Sequence, residues 1–293
     1  MLPLTNKNLS AIDLRYLAKR QEDINGRTPF AAQTARAGYL WDTKSQSKAG
    51  KRTFTEVKST LLSMCIGVEI CNYCEQSEAS DIEHILPKSL FPGEAFVWTN
   101  YLLACKKCNT THKLDAMYVF SPAGSTTTVW IARGTEPPTT DYAFIHPRLE
   151  NPMDWMQLSF DDFLFYARPP HAPGTRGFQK VERTLEILEL NNRPSLVKYR
   201  REAFGNYKRM LREYVAVKQA TTHAQLEDAV SGDPIVNPAT PFTIEQNRLL
   251  DSLKNSILTG EHLTVWREMV RRRGLLAPPI QELFRQAPET LTW

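Results

Sequence analysis

Four of the five cysteines lie in two Cys-x-x-Cys pairs, Cys71 with Cys74 and Cys105 with Cys108. Two residues between the cysteines of a pair allow one tight turn to direct both sulfurs at the same ion, and zinc binds four thiolates tetrahedrally. A redox motif needs only one pair in a βαβ setting, which is absent here. The two pairs therefore predict a structural zinc site. Cys65 lies outside both pairs in an apolar stretch, LLSMCIG, and is expected to be a buried thiol.

The interval between the pairs holds further residues that could do chemistry. Positions 75 to 104 separate the pairs, 30 residues in all, whereas a zinc ribbon usually leaves roughly 15 to 20. Phosphodiester hydrolysis needs a base to activate water and a divalent cation to neutralise phosphate charge. His84, in DIEHILPKS, is the candidate base because the unperturbed pKa of histidine lies near working pH. Asn100, in WTNYLL, is expected opposite His84 across a hairpin, where its amide could fix the ring or the nearby backbone.

This ordered pattern resembles the HNH (ββα-metal) endonucleases, in the variant whose core is clamped by a four-cysteine zinc site. The resemblance covers residues 71 to 113. His84 matches the first His of the family, Asn100 its central Asn, and Asn109 the residue directly after the last cysteine. The resemblance implies a ββα core with divalent-metal-dependent nuclease activity, in which His84, Asn100 and Asn109 are catalytic.

The resemblance also implies ligands for a catalytic cation, which would be Mg²⁺ or Mn²⁺. Asn109 with one carboxylate offers two oxygen ligands and leaves room for water and phosphate, as a hard cation requires. Glu83 is the first choice because the family places an acid directly before the His. Neighbours on a regular strand point to opposite faces, however, so Asp81 is the alternative. His112 is a further candidate ligand or phosphate contact.

Two lysines near these residues are candidate phosphate-binding residues. Lys88 follows the Glu-His motif, and Lys113 ends the sequence CNTTHK that begins at Cys108. In a helix beginning at Asn109, His112 and Lys113 would share its face, since residues three and four apart are neighbours.

Four segments are predicted around these residues. They are a helical region (1–64), the zinc-stapled nuclease core (65–120), a β-rich appendage (121–179) and a second helical region (180–293) with a polar loop near 231–241. Asn8 or Ser10 is expected to cap the first helix, and the basic stretch between Asp42 and Glu56 is expected to be a solvated linker. The predicted fold class is α+β: a small ββα-metal core flanked by mainly α-helical regions and a short β-rich insert.

Composition restricts the protein class only broadly. The 293 residues are 42% apolar and 23% charged, with a net charge of +4, which permits a nucleic-acid partner without requiring one. An apolar run near the roughly 18 residues of a membrane span is absent, and so is a charged-then-apolar leader. The expectation is a cytoplasmic protein with no membrane partner.

A looser resemblance extends over residues 65 to 215. The runs FIHPRLENPMDW and RTLEILELNNRPSLVKYRREAF are similar to bacterial HNH proteins of anti-phage defence, of the type found in Septu and retron systems. That resemblance implies an ABC/SMC-like ATPase partner. Three functions stay open: a nuclease acting on nucleic acid, with DNA favoured over RNA, a nuclease subunit silent until its ATPase partner activates it, and a non-catalytic zinc module that binds nucleic acid.

Overall fold

The computed structural model describes residues 1–67, 69–76, 78–231 and 235–293, so the predicted polar loop near 231–241 lies partly outside the described residues. The chain forms two compact units, Met1–Leu196 and Val197–Trp293. Helices and small antiparallel strand pairs occur together, which confirms the α+β class. Within the described residues, we find no helix with the length and apolar character that crossing a membrane requires.

The first unit begins with the helices α1 (Ala11–Asn25), α2 (Phe30–Asp42) and α3 (Lys48–Leu62). Ser10 caps α1, because its side chain accepts a hydrogen bond from the backbone N–H of Asp13. The Asp13 carboxylate in turn accepts a hydrogen bond from Thr53 Oγ1 at 2.7 Å, which joins α1 to α3.

Helix α3 occupies most of the basic stretch after Asp42, so the prediction of a solvated linker is wrong. Ser47 caps the helix, its Oγ accepting a hydrogen bond from the Gly50 N–H at 3.0 Å. A Cβ at Gly50 would lie 2.0 Å from the carbonyl oxygen of Lys44, so this close approach requires glycine. The buried positions recur at helical spacing: Gly50, Thr53, Phe54, Val57 and Leu61.

The middle of the first unit is an antiparallel hairpin of β1 (Asp81–His84) and β2 (Tyr101–Ala104). Asp81 pairs with Ala104 and His84 pairs with Tyr101. Between the strands lie the short 3₁₀ helices Pro92–Glu94 and Trp98–Asn100. Every residue of β2 is buried, so the hairpin is enclosed rather than exposed on one face.

After β2 the chain forms a π-helix, Lys107–Lys113, at the position of the expected helix. The Leu114 N–H donates to the Asn109 carbonyl at 2.9 Å, five residues back, which is the hydrogen bond that defines this helix type. A π-helix turns each residue less far around its axis than an α-helix does. Residues three apart therefore no longer share a face, whereas residues four apart still do.

The remainder of the first unit surrounds the hairpin and the π-helix. Its elements are β3 (Tyr118–Phe120), β4 (Thr128–Trp130), α4 (Pro152–Trp155), β5 (Met156–Leu158), β6 (Phe165–Ala167) and α5 (Arg176–Leu188). Strand β3 pairs with β4 and β5 pairs with β6, both antiparallel. Strands β4, β5 and β6 lie within residues 121–179, whereas β3 precedes that range. Helix α5 packs against the π-helix and against β6, so it supports the core directly.

Helix α6 (Pro194–Gln219) leads into the second unit, which is helical. Its further helices are α7 (His223–Ala229), α8 (Phe242–Leu258), α9 (Leu263–Arg271) and α10 (Pro278–Gln286). Leu226, Leu249 and Leu253 belong to one of its apolar clusters. Trp266 is fully buried beside the rings of Tyr207 and Phe284.

Candidate active site and metal centre

The two cysteine pairs converge on one point at the base of the hairpin. The sulfurs of Cys71, Cys74, Cys105 and Cys108 all lie within 4.8 Å of one another. Cys71 and Cys74 lie on a turn before β1, and Cys105 directly follows β2, so the hairpin brings together Cys74 and Cys105, which are 31 positions apart.

The geometry of this cluster fits a zinc ion. Zn–S bonds of about 2.3 Å in a tetrahedron place the sulfurs about 3.8 Å apart, and the Cys74 and Cys105 sulfurs lie 3.9 Å apart. Burial and the neighbouring sulfurs raise the pKa of Cys71. A bound cation allows all four neighbouring sulfurs to be thiolates, because it offsets the repulsion between their negative charges.

Hydrogen bonds around the sulfurs position them further. Arg193 Nη1 donates to Cys108 Sγ at 3.3 Å, and the Cys108 N–H donates to Cys105 Sγ at 3.4 Å. Donors of this kind orient thiolate ligands and reduce their charge density. Cys65 lies outside the cluster and is only partly buried; burial raises its pKa to about 11.

His84 lies at the end of β1 with its ring held from two sides. Its Nε2 lies 2.9 Å from the carbonyl oxygen of Ala95, an acceptor, so this nitrogen carries the proton. The Nδ1 lone pair is therefore the basic one. The Trp41 ring packs against the imidazole with its centroid 4.1 Å away, and only 6% of His84 is exposed.

The electrostatic surroundings keep the His84 imidazole neutral. Burial, together with the positive charges of Lys88, Lys113 and Lys44, lowers the pKa of His84 to about 3, and only the Ala95 carbonyl opposes this. A neutral imidazole can accept a proton, but one with so low a pKa is a weak base. A phosphate anion beside it would raise the pKa toward the working range.

Asn100 holds the loop that carries Ala95. Its Oδ1 accepts from the Leu86 N–H at 2.7 Å, while its Nδ2 donates to the carbonyls of Leu86 and Glu94 at 3.0 and 2.9 Å. The sequence is compatible with Asn100 fixing either the imidazole ring or the backbone, and in the structure its side chain bonds the backbone. Tyr101 also donates its hydroxyl to the Ala95 carbonyl at 2.7 Å.

Asp81 is the carboxylate that contacts Asn109. Asn109 Nδ2 lies 3.1 Å from Asp81 Oδ2, across the gap between β1 and the π-helix. Rotation of the Asn109 amide by 180° would present its oxygen beside the carboxylate. The two side chains then offer two oxygen ligands, which fits a hard divalent cation that keeps several waters.

Glu83, the first choice from the sequence, has a different contact. It lies two residues beyond Asp81 on the same strand face, and its Oε1 is 2.6 Å from Lys113 Nζ. Burial raises the pKa of Glu83, and Lys113 opposes that rise. Lys113 is fully buried and also donates to the His84 carbonyl at 2.7 Å, so here it supports the hairpin instead of facing solvent as a phosphate ligand would.

The two remaining sequence candidates lie on different sides of the core. His112 Nδ1 lies 3.2 Å from Glu189 Oε2, after α5, because the π-helix turns it away from the face of Asn109. Lys88 is half-buried beside Trp41, its Nζ 5.9 Å from the centre of the indole ring. Lys88 is thus near His84, and His112 is not among the residues that bond Asp81 or Asn109.

Several residues of this site were missed from the sequence. The Ala95 carbonyl gives no sequence signal, because any residue supplies one. Trp41 and Lys44 lie in the N-terminal helical region, and Lys44 opens the stretch taken for a linker. Lys44, whose ammonium lies over the ring, is three positions after Trp41 and just beyond the end of α2, and that spacing is the signal available in the sequence.

Comparison with known proteins agrees with this geometry. Residues 71–113 match the HNH endonuclease family. The chain is also similar to the Septu protein PtuB of Bacillus thuringiensis, with 27% identity over 219 residues that cover 69% of this chain and 81% of the relative. No solved structure gave a significant match. The resemblance drawn from the cysteine, histidine and asparagine spacing is thereby confirmed, and residues 71–113 form an HNH endonuclease domain carrying a four-cysteine cluster suited to zinc.

Proposed function

We propose that this protein is a divalent-metal-dependent endonuclease that hydrolyses phosphodiester bonds of nucleic acid, with DNA favoured over RNA, in anti-phage defence. The observation that carries the proposal is the His84 imidazole, whose Nε2 is tied to the Ala95 carbonyl. That bond leaves Nδ1 to take the proton of an attacking water.

The residues around His84 have distinct tasks in this proposal. Tyr101 donates to the Ala95 carbonyl and Asn100 donates to the adjacent Glu94 carbonyl, so they position His84 without touching substrate. Asp81 and Asn109 would hold the divalent cation, Mg²⁺ or Mn²⁺. When bound, the cation supplies neutralisation of charge on the phosphate. Glu83 and Lys113 join the strand to the π-helix behind these ligands.

The cysteine cluster has a structural task. A short hairpin and one helix, over about 45 residues, bury too little apolar surface to hold catalytic geometry alone. Zinc bound by Cys71, Cys74, Cys105 and Cys108 ties both ends of the hairpin to one point.

The test is cleavage of plasmid DNA and of RNA by purified protein in Mg²⁺, in Mn²⁺ and in EDTA, with His84→Ala as the inactive variant. Cleavage that EDTA and the substitution each abolish supports the proposal. Binding without cleavage in every metal contradicts it and favours a non-catalytic zinc module.

A second candidate is a nuclease subunit that is silent until a partner activates it. The burial of His84 beneath Trp41 favours this alternative, because substrate cannot reach a base that is only 6% exposed without some movement. An ABC/SMC-like ATPase is the proposed partner, by similarity to proteins of the Septu type. Cleavage that appears only when such an ATPase is added would assign this function.

A further inference from the structure

Two lysines from different segments lie over the ring of Trp41. Lys44 Nζ lies 4.5 Å and Lys88 Nζ 5.9 Å from the centre of its ring. Lys44 lies in the turn between α2 and α3, outside the HNH segment, and Lys88 follows β1. The same ring contacts His84, and the charges of both ammonium groups act on its imidazole.

In the part of the chain that the structure describes, the two charges lack a carboxylate partner. Among the described residues, neither lysine has a carboxylate oxygen within 4.0 Å, and the Lys44 ammonium bonds only the Trp41 carbonyl, at 3.3 Å. Burial lowers the pKa of Lys44, Asp42 opposes this, and the charge of Lys88 lowers it further. Two cations over one ring, neither of them paired with a carboxylate among the described residues, offer a site for an anion.

We propose that Lys44 and Lys88, held by Trp41, bind a backbone phosphate of the nucleic acid next to the bond that His84 attacks. This inference rests on the proposed function and adds the N-terminal helices to the substrate-binding surface. Phosphate contacts fix the register of a strand without reading its bases. An anion there also lies close enough to His84 to offset the lysine charges that depress its pKa.

The test measures binding of a fluorescein-labelled 30-base-pair DNA duplex to zinc-loaded full-length protein in the His84→Ala background, by anisotropy across a series of salt concentrations. Lys44→Ala is compared with Lys58→Ala, a change of the same kind at an exposed lysine of α3. Lys44→Ala is expected to weaken binding roughly tenfold and to lower the slope of log K against log[salt] by about 1, because one phosphate contact is lost. Lys44→Arg is expected to restore both values, since it keeps the charge.

The outcomes separate the inference from the proposed function. Equal affinities and salt slopes for Lys44→Ala and Lys58→Ala, in protein that binds the duplex, overturn the phosphate site and leave the nuclease proposal standing. A lower affinity with an unchanged slope also overturns it, because that is the result of a packing defect. If the His84→Ala protein binds neither duplex nor RNA and the wild type cleaves neither, both proposals fail.

Discussion

At the scale of single residues, the sequence left open which of the two carboxylates on β1 would bind the catalytic cation. Asp81 and Glu83 share one strand face, yet only Asp81 contacts Asn109, while Glu83 is held by the buried Lys113 ammonium. The family pattern favoured Glu83 because an acid precedes the His. The contacts favour Asp81, because a cation bound by Asn109 could also bind Asp81 without breaking the ion pair of Glu83 with Lys113.

Paired substitutions distinguish these carboxylates. Asp81→Asn is expected to weaken Mn²⁺ binding more than tenfold, because one of two oxygen ligands loses its charge. Glu83→Gln is the matched control and is expected to change Mn²⁺ affinity less than threefold. Titration calorimetry with zinc-loaded protein measures both. The reverse order of effects would assign the ligand to Glu83.

Part of the residue chemistry was predictable and part was not. The cysteine pairs and the candidate base His84 follow from residue type and interval, whereas Asn100 and Asn109 follow from the resemblance to the HNH endonucleases. The Ala95 carbonyl has no side chain to identify it, and Lys113 looked like a phosphate ligand because its burial is set by the surrounding fold. The contact of Trp41 with His84 could not be predicted, because 42 residues (positions 42 to 83) separate the two along the chain.

At the scale of elements, Asn100 determines the path of the segment between β1 and β2. Its side chain makes three hydrogen bonds to backbone groups of Leu86 and Glu94 and is only 1% exposed. Asn100→Ala is expected to lower the free energy of unfolding by about 3 kcal/mol, at about 1 kcal/mol for each hydrogen bond. Urea denaturation measures the loss.

Asn100→Asp serves as the control for that substitution. It keeps the acceptor for the Leu86 N–H but loses both donations, and it adds a buried charge. It should therefore be no more stable than Asn100→Ala. A stable Asn100→Asp variant would show that the two carbonyl contacts contribute little.

The buried pair of Glu83 and Lys113 joins β1 to the π-helix. Lys113→Met should destabilise the protein by about 3 to 5 kcal/mol, because it leaves Glu83 charged and uncompensated in the interior. The double variant Glu83→Gln with Lys113→Met is expected to lose less than the sum of the single variants. A double-mutant cycle in urea gives this coupling energy, and additive losses would mean that the pair does not interact.

The π-helix marks a limit of prediction from sequence. A helix after Cys108 was foreseeable from the ββα pattern, but its wider turn was not, because the hydrogen bond from Leu114 to Asn109 depends on how the chain leaves the cysteine cluster. The prediction that His112 shares a face with Asn109 assumed an α-helix and is therefore wrong. The predicted shared face of Lys113 and Asn109 agrees with the wider turn. Helix α3 was missed for another reason: its basic residues obscured the apolar period beneath them.

At the scale of the whole molecule, the zinc cluster and the two compact units define the response to metal loss. Metal analysis should give about one zinc per chain. Removal of the zinc by a strong chelator is expected to abolish hydrogen-exchange protection in residues 71–113, because the metal would no longer join the two ends of the hairpin. Helix α8 lies in the second unit, which has its own apolar cluster, and should keep most of its protection.

Variants at the cluster provide the comparison for the chelation experiment. Cys105→Ser should reproduce the chelated pattern and reduce soluble yield, whereas Cys65→Ser, outside the cluster, should retain zinc. Well-folded protein without zinc would contradict the structural role of the metal.

The contact between Trp41 and His84 also has an optical consequence. Indole emission responds to charges a few ångströms away, and the Trp41 ring touches the imidazole and carries two ammonium groups on its face. Trp41 is one of six tryptophans, so a difference spectrum against Trp41→Phe isolates its fluorescence. The fluorescence of Trp41 therefore reports on the surroundings of the candidate base. It should change when an anion binds there, or when the indole ring moves away from His84, before any bond is cleaved.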